Sequence, residues 1–402
     1  MPAGSPLFAP LILPCGVTLK NRIVKSAMSD SLGDGQGNPT PVQIRLYERW
    51  AMGGSAVAII GEVQGDPRAA EKPGNLVLGP LSDNIRLREL AVRGSANDTH
   101  LWAQLGHAGA MTHPPIGDAK GPSAHDLPGL SCVALSADEI DALPGQFART
   151  AAHAKSIGFT GVQVHAAHGF LLSQFLSPLF NKRSDQYGGS LTNRMRLLFE
   201  VMDAVRIAVG PNFPIALKLN ATDQLKGGFV EDEALDVVGA LDATSIDLID
   251  ISGGTYFPGA KSVSDRAASG PYFIDFASTA RTKTRKHLMI TGGFKTAEQA
   301  TRAVASGAAD VVGLARALVL APDLPHQWRQ GGEDIAFPRF MATPEGGVTA
   351  WYTQQLRRIG QDQPIAHGAD LIAELEAYNR RDQQRIAPWN AHFGWPASGQ
   401  SG

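Results

Sequence analysis

Eight short apolar runs alternate with amphipathic stretches along this chain, and the alternation restricts its fold more than any single residue does. The runs are Arg22–Met28, Ala56–Val63, His100–Leu105, Gly161–Ala166, Pro214–Leu219, Asp247–Ser252, His287–Thr291 and Asp310–Leu314. Each is short and nearly continuous in apolar residues, the pattern of a strand buried on both faces. Helical patterns lie between them, at Pro41–Met52, Ser82–Asn97, Ala137–Ile157, Thr192–Val209, Glu231–Asp242, Tyr272–Lys286 and Thr296–Ser306. Pro144 interrupts the third, which predicts a helix starting after that residue. Eight strands alternating with helices predict a (β/α)8 barrel, with an open doubly wound sheet as the alternative.

The 402 residues, 43% hydrophobic and 18% charged, suffice for one large core. The barrel is expected over 1–335. A C-terminal extension is expected over 336–402, packing on the barrel or on a neighbouring subunit, with a short helix opening at Trp351-Tyr352 and running to about Ile359. Trp389 and Trp395 in that tail need a partner surface, which makes a homo-oligomer one expectation. Formal net charge is −2, so no nucleic-acid partner is expected. No apolar run reaches the roughly 18 residues of a membrane span. Met1 to Pro14 is broken by four prolines and lacks a secretory signal's basic start, so it is expected to close one end of the fold. Two cysteines, Cys15 and Cys132, cannot build a disulfide framework and fit a reducing cytoplasm.

Barrel enzymes assemble their sites from the loops at the C-terminal ends of the strands. Insertions over that face are expected at Gly106 to Pro128 and at Asp250 to Gly270. Gly292-Gly293 after the seventh strand and Gly313, Ala315 and Arg316 around the eighth stand where such barrels bind phosphate. Glycines let backbone N–H groups approach the anion, and the guanidinium adds a charge-assisted bond; a plain tight turn is the other reading. No Gly-x-Gly-x-x-Gly opens a helix after a strand, so no separate dinucleotide domain is expected. His165 and His168 stand three apart where the fourth strand ends. They are open to structural, metal-binding or ligand-binding roles, and no Cys or carboxylate stands at zinc-ligand spacing beside them.

The segment His165-Ala166-Ala167-His168-Gly169-Phe170, continuing through Asn181, Arg183, Asp185, Tyr187-Gly188-Gly189-Ser190 and Asn193-Arg194, resembles the signature of the Old Yellow Enzyme family. With Pro41 to Trp50 and Ser252-Gly253-Gly254-Thr255-Tyr256, it is similar to the flavin half of 2,4-dienoyl-CoA reductases. The resemblance runs from about Pro6 to Gln330 and implies FMN lying across the barrel mouth, with NAD(P)H as electron donor. It implies cofactor contacts from Ser26, Ala27, Met28, Val63, Gln104 and Lys218, the last where most relatives have arginine. A fixed cation there would stabilise the negative charge that builds on the flavin pyrimidine; an ordinary lysine snorkelling from a strand end is the bland alternative. The branch's cysteine and tyrosine after the first strand are replaced by Ser29 and Ser31. Between them Asp30 is either an acid near the ring or a helix-capping or loop residue. Asn181 to Arg194 is expected to lock a turn and cap a helix at Ser190 or Thr192.

The resemblance gives His165 and His168 a role as donors to the oxygen of a small-molecule substrate, stabilising charge as hydride adds to an enone. Most relatives carry tyrosine at position 170 as the proton donor. Phe170 has no hydroxyl and cannot act as an acid. Tyr256 and Tyr352, taken as loop aromatics, are further candidates for lining the substrate pocket, with His107 and His113 near the mouth. Three readings remain open: an FMN-dependent NAD(P)H oxidoreductase acting on an activated alkene, a redox-neutral isomerase or oxidase/desaturase on the same scaffold, and a flavin-binding protein without catalysis.

Overall fold

The computed structural model describes residues 4–257, 270–340, 343–366, 368 and 370–394. Eight parallel strands close on themselves: β1 Ile23–Lys25, β2 Val57–Gln64, β3 His100–Gly106, β4 Gly161–Ala166, β5 Ile215–Asn220, β6 Leu248–Ser252, β7 His287–Thr291 and β8 Val311–Leu314. Closure comes from β8 pairing β1, with Val312 opposite Ile23, and from β1 pairing β2, with Val24 opposite Val57. All eight predicted strands are present, and the barrel rather than the open sheet is the result.

Helices follow the strands around the outside: α1 Pro41–Met52, α2 Asn84–Gly94, α3 Ala137–Ile157, α4 Arg196–Val209, α5 Glu231–Leu241, α6 Ile274–Ala280 and α7 Ala297–Ala305. Each starts from local chemistry where it can. The Thr40 side chain caps α1 through Gln43 N–H, and Pro41 at the first position needs no donor. The helix α3 begins at Ala137, not after Pro144. Ser136 and Glu139 form a reciprocal capping box, and Ile140, Leu143 and Phe147 are buried together across the proline. That packing and the cap outweigh the one backbone bond that proline removes.

The N-terminal hairpin pairs Leu11–Ile12 with Thr18–Leu19. Leu11, Leu13 and Leu19 share a cluster with Val24, Val57, Trp102, Ala216, Leu248 and Met289 from the barrel interior. The hairpin therefore plugs the bottom, and the opposite mouth is left for chemistry. Over that mouth the insertion after β3 includes a small sheet, in which Leu130–Ala134 pairs both Lys120–Gly121 and His125–Leu127. Residues 258–269, most of the second expected insertion, lie outside the described residues.

Helix α8 spans Gly347–Gly360, a turn longer at its start than the sequence pattern suggested, and packs on α1. A further helix, α9 Leu371–Phe393, was not legible. Its buried residues include Asp382 and Asn390 beside Leu371 and Trp389. A helix docked partly through polar groups shows no clean apolar stripe. Ser31 Oγ donates to Asp382 (3.2 Å), Arg385 donates to the Ser31 carbonyl (2.7 Å), and Asn390 donates to the Pro115 carbonyl (3.0 Å). Trp389 is fully buried with Ala70, Val77 and Ile116 of the same chain, so α9 lies across the loops that follow β1, β2 and β3. Trp395 is outside the described residues. Among those described, no helix is long and apolar enough to cross a membrane. Truncating Trp389→Ala should cost about 3–5 kcal/mol, the usual range for a buried tryptophan, read as a lower denaturant midpoint; an unchanged midpoint would mean that α9 is not docked as described.

Candidate active site

Inside the upper barrel, residues on adjacent strands meet in one polar layer. Register places Gln104 beside Gln163 and Lys218 beside Asp250. Lys218 Nζ donates to Asp250 Oδ2 at 2.6 Å, Gln163 Nε2 donates to the same oxygen at 3.0 Å, and Thr291 Oγ1 donates to Oδ1 at 2.6 Å. Gln104 Nε2 donates to Gln163 Oε1 at 2.8 Å, and Ser26 Oγ lies 3.0 Å from Thr291 Oγ1. Lys218 is 1% exposed and Asp250 0%, so the lysine does not snorkel to solvent. Such burial is tolerable because the charges face each other and the carboxylate's remaining lone pairs are bonded.

Beside this layer, Gly292 and Gly293 both take positive φ, 113° and 84°, in the turn leaving β7, a conformation that glycine alone adopts freely. Arg316 opens the helix Arg316–Leu320, and its guanidinium lies 5.0 Å from the ring centre of Tyr352. Gly313 pairs Thr291 in β8, and Ala315 precedes Arg316. Amide and ammonium donors in the barrel, flanked by a glycine turn and an arginine, suit a ligand with a polar ring and a phosphate. Ala27 and Met28 leave β1 on the same rim, and Val63 is buried near the end of β2. Tyr352 is not a loop aromatic: it sits within α8, buried beneath Arg316.

The histidine pair stands at the end of β4, its rings edge to face at 5.3 Å. His165 Nδ1 accepts from Ala167 N–H (3.2 Å), which puts the ring proton on Nε2, 3.2 Å from Glu62 Oε1. Glu62 sits in a bulge of β2 with φ 59°. Burial pushes its carboxyl up to about 8, and burial, with Lys218 nearby, pulls His165 down to about 3. Both shifts favour a neutral hydrogen bond rather than an ion pair. Burial likewise holds His168 well below its ordinary value.

His168 adopts φ 62°, and neighbouring loops hold it there. Its N–H donates to Asn220 Oδ1 (3.1 Å), its carbonyl accepts from Tyr256 N–H (3.1 Å), and its Nε2 is 2.9 Å from Ser252 Oγ. A side chain at Gly169 would collide with Thr255 and Phe257, so only glycine lets these loops approach. The Phe170 ring lies 4.7 Å from His165, and the Tyr256 ring 5.7 Å from His168 and 6.2 Å from Phe170.

The structure thus gathers His165, His168, Phe170 and Tyr256 in one cluster, close to the Gln104–Lys218 layer. Asp30 faces elsewhere. Its carboxylate accepts from Gln43, Tyr47 and the Leu32 N–H, packed against α1. Ser190 caps the short helix Leu191–Arg194, as the turn motif suggested. Sequence reasoning missed Asp250, Gln163, Thr291, Glu62, Asn220 and Ser252. A signal was present for two of them, since Asp250 and Glu62 are ionisable residues inside otherwise apolar strands.

Asp250→Asn should leave the Lys218 ammonium buried without its counter-charge and cost about 3–5 kcal/mol, as for other broken buried pairs; equilibrium denaturation measures it. For Glu62 the folded carboxyl titrates near 8, whereas an unfolded glutamate titrates near about 4.3. Between those values the native state holds the proton and the unfolded state does not, so stability falls as pH rises through the window. Glu62→Gln should therefore gain thermal midpoint over the native protein on going from pH 5 to pH 8, and an equal difference at both pH values would refute a neutral Glu62.

The NADH:flavin oxidoreductase / NADH oxidase family model matches residues 6–334. The NADH-dependent flavin oxidoreductase iliE of Neonectria sp. (strain DH2) is 35% identical, over 79% of this chain and 46% of that protein. Its namesake from Hypocrea jecorina (strain QM6a) is 33% identical, over 79% of this chain and 87% of that one. Among solved structures, 2-naphthoyl-CoA reductase superposes with a TM-score of 0.77 at 26% identity, covering 81% of this chain and 52% of its own. Morphinone reductase superposes with a TM-score of 0.72 at 25% identity, covering 83% and 92%. The chain spans only about half the length of the Neonectria protein and of 2-naphthoyl-CoA reductase. With the barrel, the polar layer and the histidine pair in place, these matches show that the chain belongs to the NADH:flavin oxidoreductase / NADH oxidase family, the Old Yellow Enzyme family, whose cofactors are FMN and NAD(P)H.

Proposed function

We propose that this protein passes hydride from NAD(P)H, through FMN, to an activated alkene conjugated to a carbonyl. The observation that carries the reading is the pair of neutral imidazoles at the end of β4, His165 buried and His168 half-buried, close to a buried lysine on β5. Ser26, Ala27, Met28, Val63, Gln104 and Lys218 would hold the flavin ring, and Gly292, Gly293, Gly313, Ala315 and Arg316 its phosphate. Bound FMN supplies a two-electron carrier that accepts hydride from the nicotinamide and donates it to the alkene. Lys218, held in place by Asp250, offers a fixed positive group to the ring's polar edge.

The histidines meet the requirement on the substrate side. Hydride addition to the β-carbon drives negative charge onto the carbonyl oxygen, and preplaced donors stabilise it as it develops. His165 presents an Nε2–H now shared with Glu62; a substrate oxygen would replace one acceptor by another. If the Ser252 hydroxyl donates to His168 Nε2, the second imidazole keeps a proton on Nδ1 as its donor. Nicotinamide and substrate would use the same mouth in alternating half-reactions. Relatives named NADH-dependent flavin oxidoreductase and morphinone reductase support this reading.

Phe170 favours a second reading, a redox-neutral isomerase or an oxidase/desaturase, because the usual phenol is missing at that position. An anaerobic half-reaction separates the two. With the protein's flavin reduced and 2-cyclohexenone added, the first reading predicts reoxidation and saturated ketone. His165→Ala or His168→Ala should slow that step by about 10²–10³, the loss typical of an oxyanion donor. A flavin that stays reduced in the native protein would sink the first reading.

A further inference from the structure

We propose that Tyr256 is the acid that protonates the substrate α-carbon, in place of the phenol missing at position 170. The inference rests on the alkene-reducing reading above and assigns the step which that reading leaves without a residue.

The chain has six tyrosines, and their surroundings separate them. Tyr47 donates to Asp30 beneath α1, and Tyr187 donates to Asp141 and Glu200. Tyr272 stacks edge-on with Phe273, Tyr352 lies buried under Arg316, and Tyr378 is in α9 with Lys72 over its ring. Tyr256 is the tyrosine whose ring packs on both His168 and Phe170. It is also the open member of that cluster, 66% exposed, while His165 and Phe170 beneath it are 2% and 1% exposed. A substrate reaching the imidazoles from the mouth therefore passes the Tyr256 ring.

Its position is built in rather than incidental. Tyr256 N–H donates to the His168 carbonyl, and Thr255 forms an isolated bridge with His168. The loop after β6 is thus latched to the histidine loop, so a carbonyl held by the imidazoles stands at a set distance from the phenol. Desolvation, with Glu71 and Glu62 nearby, pushes the Tyr256 phenol up to about 12, so it stays protonated in neutral solution.

The step balances without another reagent. With reduced FMN bound as the hydride source, the β C–H bond would form, and the alkene π pair would move towards the carbonyl to give an enolate held by the histidines. The Tyr256 Oη–H bond breaks and its proton forms the α C–H bond, and the phenolate recovers a proton from water. The alkene is reduced by two electrons, and the flavin, previously reduced by NAD(P)H, is oxidised.

The test follows the anaerobic half-reactions of the FMN-loaded full-length chain in native, Tyr256→Phe and Tyr256→Phe/Phe170→Tyr forms. General acids contribute about 10²–10⁴ to such steps. We expect Tyr256→Phe to lose at least about 10²-fold in saturated product formation from 2-cyclohexenone. Reduction by NAD(P)H, reoxidation by ferricyanide and the dissociation constant of cyclohexanone should stay unchanged. The solvent deuterium isotope effect on product formation should change with the variant, and Phe170→Tyr should restore turnover in the same background. Full product formation in Tyr256→Phe would overturn the assignment, as would a parallel loss with ferricyanide. Failure of the native enzyme to reduce the enone would instead remove the functional reading and this proposal with it.

Discussion

A lysine and an aspartate with no access to solvent sit inside the barrel, and the upper half of the molecule is organised around keeping them paired. Lys218 and Asp250 face each other from β5 and β6 at 2.6 Å. An isolated buried charge would cost far more than a domain's net stability allows. The pair is tolerated because Gln163 and Thr291 complete the carboxylate's bonding, and Gln104 and Ser26 extend the network to β3 and to the end of β1. Below this layer the interior is apolar and plugged by the N-terminal hairpin. The barrel is therefore dry at one end and polar at the other, and the polar end is where a charged ring and its phosphate can be accommodated.

The histidines depend on the same economy of partners. His165 is buried and His168 half-buried, desolvation favours the neutral form of both, and each ring is oriented by a group from another strand, Glu62 from β2 and Ser252 from β6. Left-handed backbone at Glu62 and His168 and the close approach at Gly169 are the local distortions that this arrangement needs. Strained, non-glycine residues held by surrounding bonds are common where a site is pre-organised. Phe170 fits the same space as a tyrosine ring while removing its proton, so the chemistry of the cluster is decided by what stands over it.

The mouth is also shaped by an element remote in sequence. Ser31 is small enough for Asp382 and Arg385 of α9 to reach it. The wall of the mouth beside β1 to β3 is thus supplied from the C-terminal end of the chain, and Trp389 anchors it.

Periodicity alone carried the barrel. Buried parallel strands must be continuously apolar, and amphipathic helices must follow them, so both the number and the order of strands are written locally. The segment from His165 to Arg194 likewise marked the end of β4 and the family. The extent of α3 through Pro144 was not legible, because a capping box and packing outweighed the proline's intrinsic preference. Helix α9 was hidden because half of its buried face is polar. Asp250 and Glu62 were visible as ionisable residues in apolar strands, but their partners were not: a side chain at a strand end can meet any of several neighbours, and register and barrel closure choose among them. The sequence by itself determined which residues could form strands, turns and donors. The tertiary structure decided which of those donors face one another, since hydrogen bonds and charge pairs act over a few ångströms between residues tens to hundreds of positions apart.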